Sequence, residues 1–330
     1  MDMKELVDGF TDQLKEAIKI GESSNLRLPA QEIRNVLITG LGGSGIGGTI
    51  VSEIVSGECI VPITVNKDYF LPAFVGPHSL VIVSSYSGNT EETVQAMETA
   101  IERNAHIVCI SSGGKVVELA KKNNIDLILI PGGNPPRACL GYSLTQLFYI
   151  LYKLKLIHDG FRKQLADAIA LLDEDEQNIR NEANSISEFL YKKTPVIYAI
   201  DGYNGVATRF RQQINENSKM LCWHHILPEM NHNELVGWAE KHEDIAVILL
   251  RSTTDYSRTQ TRMEISKEVF KKYTPNIREL WSKGVSALER SLYLIHVTDW
   301  VSCYLADKKH VDASEINIIN HLKGELAKIR

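Results

Sequence analysis

Two short turns constrain this chain more than anything else in it. Val36–Gly48 reads VLITGLGGSGIGG, and Leu80–Thr93 reads LVIVSSYSGNTEET. In each, an apolar run passes through glycines and small hydroxyl residues straight into a helical pattern. Strands linked by helices in this way lie parallel, because a parallel pair needs a long crossover and the crossover helix covers a sheet face. The rest of the first half follows suit. Strand-like runs at Val36–Thr39, Pro62–Val65, Leu80–Ser84, His106–Ile110 and Leu127–Ile130 alternate with helical patterns at Ile46–Val55, Glu91–Arg103 and Lys115–Lys122. The spacing predicts an α/β fold with a parallel sheet covered on both faces.

The pattern then repeats. Tyr142–Leu156 is an apolar helix expected to pack on the first sheet. Gln164–Lys192 is long and charged, better suited to a linker helix than to a core. After it come a strand at Pro195–Ile200, the turn DGYNG, a helix at Ala207–Asn217, a strand at Ile245–Leu250, a helix at Tyr256–Lys272, a strand at Ile277–Leu280, and helices at Val285–Lys308 and Ser314–Ile329. VLITGLGGSGIGGTIVSEI and VIYAIDGYNGVATRFRQQI read as divergent copies of one strand–turn–helix unit. The expected organisation is a domain over 1–155, a linker helix over 156–192 and a second, similar domain over 193–330. Leu6, Phe10, Leu14 and Ile18 add one amphipathic helix over residues 3–20.

Charge and cysteine usage narrow the function. A net charge of −5 over 330 residues leaves no basic face for nucleic acid. No apolar run reaches the ~18 residues of a membrane span, and the first residues lack a signal-peptide core. The five cysteines, Cys59, Cys109, Cys139, Cys222 and Cys303, are scattered and odd in number. They read as buried free thiols of a cytoplasmic protein rather than as disulfides or a zinc site.

The turns themselves point to an anion. Gly40, Gly42 and Gly45 fit the G-x-G-x-x-G of a dinucleotide site, but that site also wants an acid at the end of the second strand, where this chain has Val65-Asn66-Lys67. In SSYSGNTEET, hydroxyls and Gly88 sit immediately before a helix. Open amides and the dipole of a helix N-terminus bind an anion, and Ser85, Ser87 and Thr90 offer donors to several oxygens of one phosphate. Asn89 or Thr90 is placed to cap that helix, with Glu92 at capping-box spacing from Asn89. An ordinary capped turn remains the alternative for either loop alone.

Together, GLGGSGIGG and SYSGNTEET resemble the sugar-isomerase (SIS) domain. Over nearly its whole length the chain resembles the bifunctional phosphoglucose/phosphomannose isomerases of the phosphoglucose isomerase superfamily, on the motifs NPPRACLGY, NENSK, PEMNHNELVGW and a C-terminal helix carrying a lysine. The resemblance implies two SIS-type three-layer αβα domains with parallel sheets, joined by a long helix. It implies aldose–ketose isomerisation of glucose, mannose and fructose 6-phosphates through a cis-enediol, within glycolysis and gluconeogenesis. It puts the substrate phosphate on Ser44, Ser85, Ser87 and Thr90, beside Gly42 and Gly43.

The same resemblance distributes the chemistry. Glu216 in NENSK is the base that moves the proton between C1 and C2, and desolvation at the mouth of the second domain would raise its pKa. Arg137 in NPPRACLGY stabilises the enediolate with fixed donors. His232 in PEMNHNE assists ring opening and is contributed to the neighbouring subunit's site, which makes a homodimer necessary. Lys323 in INIINHLKGEL matches the family's C-terminal lysine near the sugar ring. Glu234 orients its loop or is merely exposed, and the adjacent His224 and His225 are structural. Asp201 and Tyr203 replace glycines in the second domain's turn, so no second phosphate site is expected there. No H-x-H, H-E-x-x-H or cysteine cluster is present, so neither metal nor other cofactor is expected. Two alternatives stay open at this point. One is a non-catalytic phosphosugar regulator built on the same domain, and the other is a nicotinamide oxidoreductase, which the missing acid disfavours.

Overall fold

A computed structural model describes residues 2–329 of the chain. The first elements are α1 (Met3–Asp8) and α2 (Phe10–Ser23). The single helix expected over residues 3–20 is therefore two, broken at Gly9, which is at once the C-cap of one and the N-cap of the other. Glycine gains least from staying helical, so the chain turns there. Leu6, Phe10 and Leu14 are buried on either side of the break as their spacing requires.

A five-stranded sheet follows. It is built from β1 (Asn35–Thr39), α3 (Gly42–Ile54), β2 (Ile63–Asn66), β3 (Ser79–Ser84), α4 (Glu91–Glu102), β4 (His106–Ser111), α5 (Gly114–Lys122) and β5 (Asp126–Leu129), and α6 (Leu140–Lys153) closes it. All strands are parallel, in the order β2-β1-β3-β4-β5. The order reverses direction at β1, so the connections leaving β1 and β3 part to opposite faces. The crevice they leave at the carboxyl ends of these strands is where open α/β sheets bind ligands.

The helix α7 (Gly160–Leu190) leads to the second sheet, made of β6 (Thr194–Ile200), α8 (Asn204–Ser218), β7 (Trp223–Leu227), β8 (Ile245–Arg251), α9 (Ser257–Phe270) and β9 (Ile277–Trp281). Its strands are again parallel, in the order β7-β6-β8-β9, which reverses at β6. The chain ends in α10 (Ala287–Lys309) and α11 (Asn317–Leu326). No helix of the described residues is long and apolar enough to cross a membrane.

Period-two alternation sorts the strand residues. Leu37, Val81, Val83 and Cys109 face outward onto Val94 and Met97 of α4 and Val116 of α5. Ile38, Ile82 and Ile110 face inward and join one large core with Ile197 and Ile248 of the second sheet. A layer of helices, chiefly α3, α6, α8 and α10, lies between the two sheets and serves both. On the far side Tyr198, Leu249 and Phe270 pack under α9.

The polar reading of α7 needs correcting. Phe161, Leu165, Ala168, Leu172, Ile179, Ala183, Ile186 and Leu190 form one buried stripe that packs along α10. The charges of DEDEQNIRNEANSISEF occupy the other faces, and a single apolar stripe suffices to bury a helix. Where the stripe would continue at 176 the chain has Glu176, which meets the buried His296 at 2.7 Å.

Candidate active site

The first turn opens the N-terminus of α3. Gly42 has φ +53°, a conformation that admits glycine readily. A methyl built on Gly43 would lie 2.9 Å from the Pro136 carbonyl oxygen and 3.0 Å from Arg137 Cα, so the turn is pressed against the loop that carries Arg137. The N-cap of α3 is Leu41, which has no side-chain acceptor, and the Gly42 and Gly43 amides therefore open the helix uncapped.

Hydroxyls come from both turns. Ser44 Oγ accepts from the Tyr86 N–H at 3.0 Å, which leaves the Ser44 proton free to donate. Ser84 Oγ donates to the Ser44 carbonyl at 3.1 Å and ties the two turns together. Ser85 is buried and lies 3.4 Å from Thr90 Oγ1, whereas Ser87 is exposed and accepts from the Asn89 N–H. Thr90 is the N-cap residue of α4 but makes no side-chain cap. The capping expected from Asn89 goes elsewhere, since its Oδ1 accepts from the Lys115 N–H in the first turn of α5. Both helices that meet the crevice therefore begin with amides that no side chain of their own satisfies.

Arg137 joins this end of the first sheet to the second half of the chain. It sits in the short 3-10 turn Pro136–Ala138 and is only 4% exposed. Its Nε donates to Asn217 Oδ1 at 2.7 Å, Nη2 to the Ala313 carbonyl at 2.6 Å, and Nη1 reaches Glu216 Oε2 at 3.4 Å. Burial pulls its pKa below the ordinary value while the Glu216 carboxylate opposes that pull. Glu216 lies in the last turn of α8 with 27% of its side chain exposed, the one open side of the pair.

Several residues that hold this arrangement do not announce themselves in the motifs. Tyr86 Oη accepts from the Asn134 N–H at 3.2 Å, fastening the second turn to the Arg137 loop. Arg209 forms a buried two-pronged ion pair with Asp299, at 3.1 and 2.6 Å, and donates to the Arg137 carbonyl at 2.9 Å. Gln213 adds a third bond to Asp299. The signal for them was periodicity. Arg209, Gln213 and Asn217 recur every four residues on one face of α8, and Asp299 is a lone acid in the apolar run LYLIHVTDWVSCYL. Polar residues at core spacing mark a buried network.

His232 and Lys323 are not brought to this cluster by the chain's own fold. His232 ends the exposed turn Glu229–His232 after β7, and Lys323 lies on α11, which buries no residue. Neither bonds to Arg137 or Glu216 among the described residues. The loop around His232 is nevertheless fastened. Glu234 accepts from Tyr198 Oη at 2.5 Å and Trp223 Nε1 at 3.2 Å, and its Oε2 lies 2.6 Å from His225 Nδ1. His224 turns to the opposite face, 3.0 Å from Thr208 Oγ1 on α8, and burial beside Arg211 lowers its pKa to about 4. The cysteines are all free thiols.

Comparison with known proteins finds relatives over nearly the whole chain. Residues 179–326 match the family described as "Bacterial phospho-glucose isomerase C-terminal SIS domain". The chain is 38% identical to a bifunctional phosphoglucose/phosphomannose isomerase of Caldicellulosiruptor bescii, across 99% of this chain and 100% of that one. It is 35% identical to the protein of the same description from Aquifex aeolicus, across 98% of each. In fold it resembles the C-terminal domain of glucosamine-fructose-6-phosphate aminotransferase from Francisella tularensis. That likeness has a TM-score of 0.78 at 15% identity and covers 95% of this chain and 98% of that one.

Proposed function

The chain belongs to the family of bifunctional phosphoglucose/phosphomannose isomerases, and from that premise we propose how its own residues carry out the reaction. The enzyme interconverts glucose 6-phosphate and mannose 6-phosphate with fructose 6-phosphate. The observation that carries the assignment of roles is the position of Arg137. Its backbone touches the glycine turn at Gly43, and its guanidinium touches Glu216. A sugar phosphate anchored at that turn thus extends toward the arginine and the carboxylate.

In this reading the phosphate takes the Gly42 and Gly43 amides and the hydroxyls of Ser44, Ser85, Ser87 and Thr90, at two helix N-termini that favour negative charge. After ring opening, Glu216 removes the proton from C2 of the aldose and returns it to C1, and a proton passes between O1 and O2. The intermediate enediolate places its negative charge on oxygen, where the Nη1 edge of Arg137 stabilises it. Glucose and mannose differ only at C2, so delivery of the proton to either face of the enediol yields both aldoses.

His232 and Lys323 assist ring opening from a second copy of the chain. Support for a homodimer comes from apolar surface beside them. Val236 near His232 is 81% exposed, and Ile318 and Leu322 on α11 are 86% and 59% exposed. Large apolar side chains clustered on a surface mark an interaction site. The first and last segments, 1–155 and 193–330, divide the labour: one grips the phosphate and the other supplies the base. The five free thiols fit a reducing cytoplasm.

Proton NMR with each of the three hexose 6-phosphates tests the reaction. Both aldoses are expected to yield fructose 6-phosphate, and C2-deuterated glucose 6-phosphate to lose its label to water, with the same rates in EDTA. Binding without conversion of any of them would leave a phosphosugar regulator instead. Activity lost in EDTA and restored by zinc would defeat the metal-independent mechanism.

A further inference from the structure

The Arg137 guanidinium is held from behind by one fully buried side chain. Asn217 has no exposed surface, and its amide is fixed at both ends. Oδ1 accepts from Arg137 Nε at 2.7 Å, and Nδ2 donates to Ser302 Oγ at 2.9 Å. The Ser302 hydroxyl in turn donates to the Asp299 carbonyl at 2.6 Å. That last bond orients the others. With its proton committed to Asp299, Ser302 Oγ can only accept from Asn217, so the amide must present NH2 to serine and oxygen to arginine. Its orientation follows from its neighbours and admits no flip.

The two supports of Arg137 meet at one residue. The Asp299 carboxylate holds Arg209, which holds the Arg137 carbonyl, and the Asp299 carbonyl holds Ser302, which holds Asn217 and through it the guanidinium. The arginine is clamped at its backbone and at its head by α10. Asn217 also follows Glu216 in the last turn of α8, so one turn sets both the carboxylate and the arginine.

We infer that Asn217 is the positioning residue of this reaction, holding Arg137 Nε so that the Nη1 edge faces Glu216 and the developing enediolate. The inference rests on the reading of Arg137 and Glu216 given above. A guanidinium without this support keeps its charge but loses its direction, and misplacement of such a group by about 1 Å can cost on the order of 100-fold in rate.

The test measures kcat and KM of N217A, N217D and S302A in the full-length protein, with R137K and E216Q alongside. N217A is expected to lose roughly 100-fold in kcat with KM for fructose 6-phosphate within about threefold. N217D still accepts from Nε and is expected to regain about tenfold of that loss. A residue that only filled space would neither split kcat from KM nor be rescued by the variant that keeps the acceptor. An N217A kcat within about threefold of the parent, or an N217D no better than N217A, overturns the inference. If R137K and E216Q lose turnover in the same experiment, the reading of the site survives that result; if they keep it, the reading itself falls. Should N217A not fold, S302A carries the test, since it frees the Asn217 amide without removing it. A drop of about fivefold in kcat at constant KM is then expected, and an unchanged kcat overturns the proposal.

Discussion

The two halves of the chain repeat one strand–turn–helix unit but treat the start of its helix in opposite ways. In the first half, α3 begins after β1 with Gly42 and Gly43 amides that no side chain caps, beside the free proton of Ser44. In the second half, the corresponding helix α8 begins after β6, and its first turn is already occupied: both carboxylate oxygens of Glu53 accept from the Gly205 N–H at 3.1 Å. Glu53 comes from the last turn of α3. The exchange is reciprocal, because Glu216 from the last turn of α8 meets Arg137 beside the start of α3. A pair of packed helices thus offers one open anion cradle and one filled by the protein's own carboxylate. In the loop after β8, ahead of α9, the Asp255 carboxylate accepts from the Ser252 N–H at 3.0 Å. The repeat supplies two equivalent helix starts, and side-chain choice leaves open the one at α3, the start proposed above to take the substrate phosphate.

Each side of this comparison makes predictions. The largest effect is expected at Glu216, the base proposed above. E216Q should bind fructose 6-phosphate normally and lose roughly 10³-fold or more in kcat, as removal of a general base typically does; initial rates and a binding titration measure the two parts. Next is the clamp that joins the halves. D299A leaves Arg209 buried without its partner and should cost about 3–5 kcal/mol, read from denaturant unfolding. The open cradle comes third. S44A or S85A removes a donor to a charged group and should raise KM for every hexose 6-phosphate by roughly 10-fold, the low end of what a hydrogen bond to a charged group contributes. D255N, in the loop after β8 of the second half, should leave KM unchanged. Equal effects in S44A and D255N would erase the distinction between the halves.

The last prediction concerns Glu53 and pH. Burial raises its pKa from the ordinary 4.5 to about 7, against the opposing pull of the Gly205 amide. A carboxyl whose folded value is raised contributes its full stability below pH 4.5 and loses that contribution as pH climbs through about 7. The parent protein should therefore lose stability relative to E53Q between pH 5 and 8, by no more than about 3 kcal/mol. Thermal melts across that range measure it, and parallel curves for the two proteins would show that Glu53 does not titrate there.

The motifs held the candidate residues that the fold brings together, Arg137, Glu216 and the two turns, but gave no sign that His232 and Lys323 lie apart from them. Only glycine tolerates the close approach at Gly43, and only small hydroxyls fit a turn that leads directly into a helix. What escaped the motifs was support rather than contact. Asn217, Arg209 and Asp299 look like ordinary helix residues until the fold buries them together; the four-residue spacing of Arg209, Gln213 and Asn217 on α8, and a lone acid in the apolar run of α10, are the traces they leave in sequence. The charged face of α7 hid its buried stripe for a related reason, since composition weighs all faces of a helix and packing uses one. Asn89 shows the limit of local rules: its position suits a cap on its own helix, but the neighbouring helix α5 lies closer to its oxygen.

The sequence by itself determined the alternation of strands and helices, the parallel sheets and the chemistry of the two turns, because these depend on local periodicity and on residues that only certain conformations accept. Tertiary structure decided which ends of those elements meet. It set the last turn of α8 beside Arg137, filled the second cradle with Glu53, and merged the inner faces of both sheets into one core. Those outcomes depend on contacts between residues far apart in the chain, and such contacts are settled by how helices and sheets pack around a shared interior.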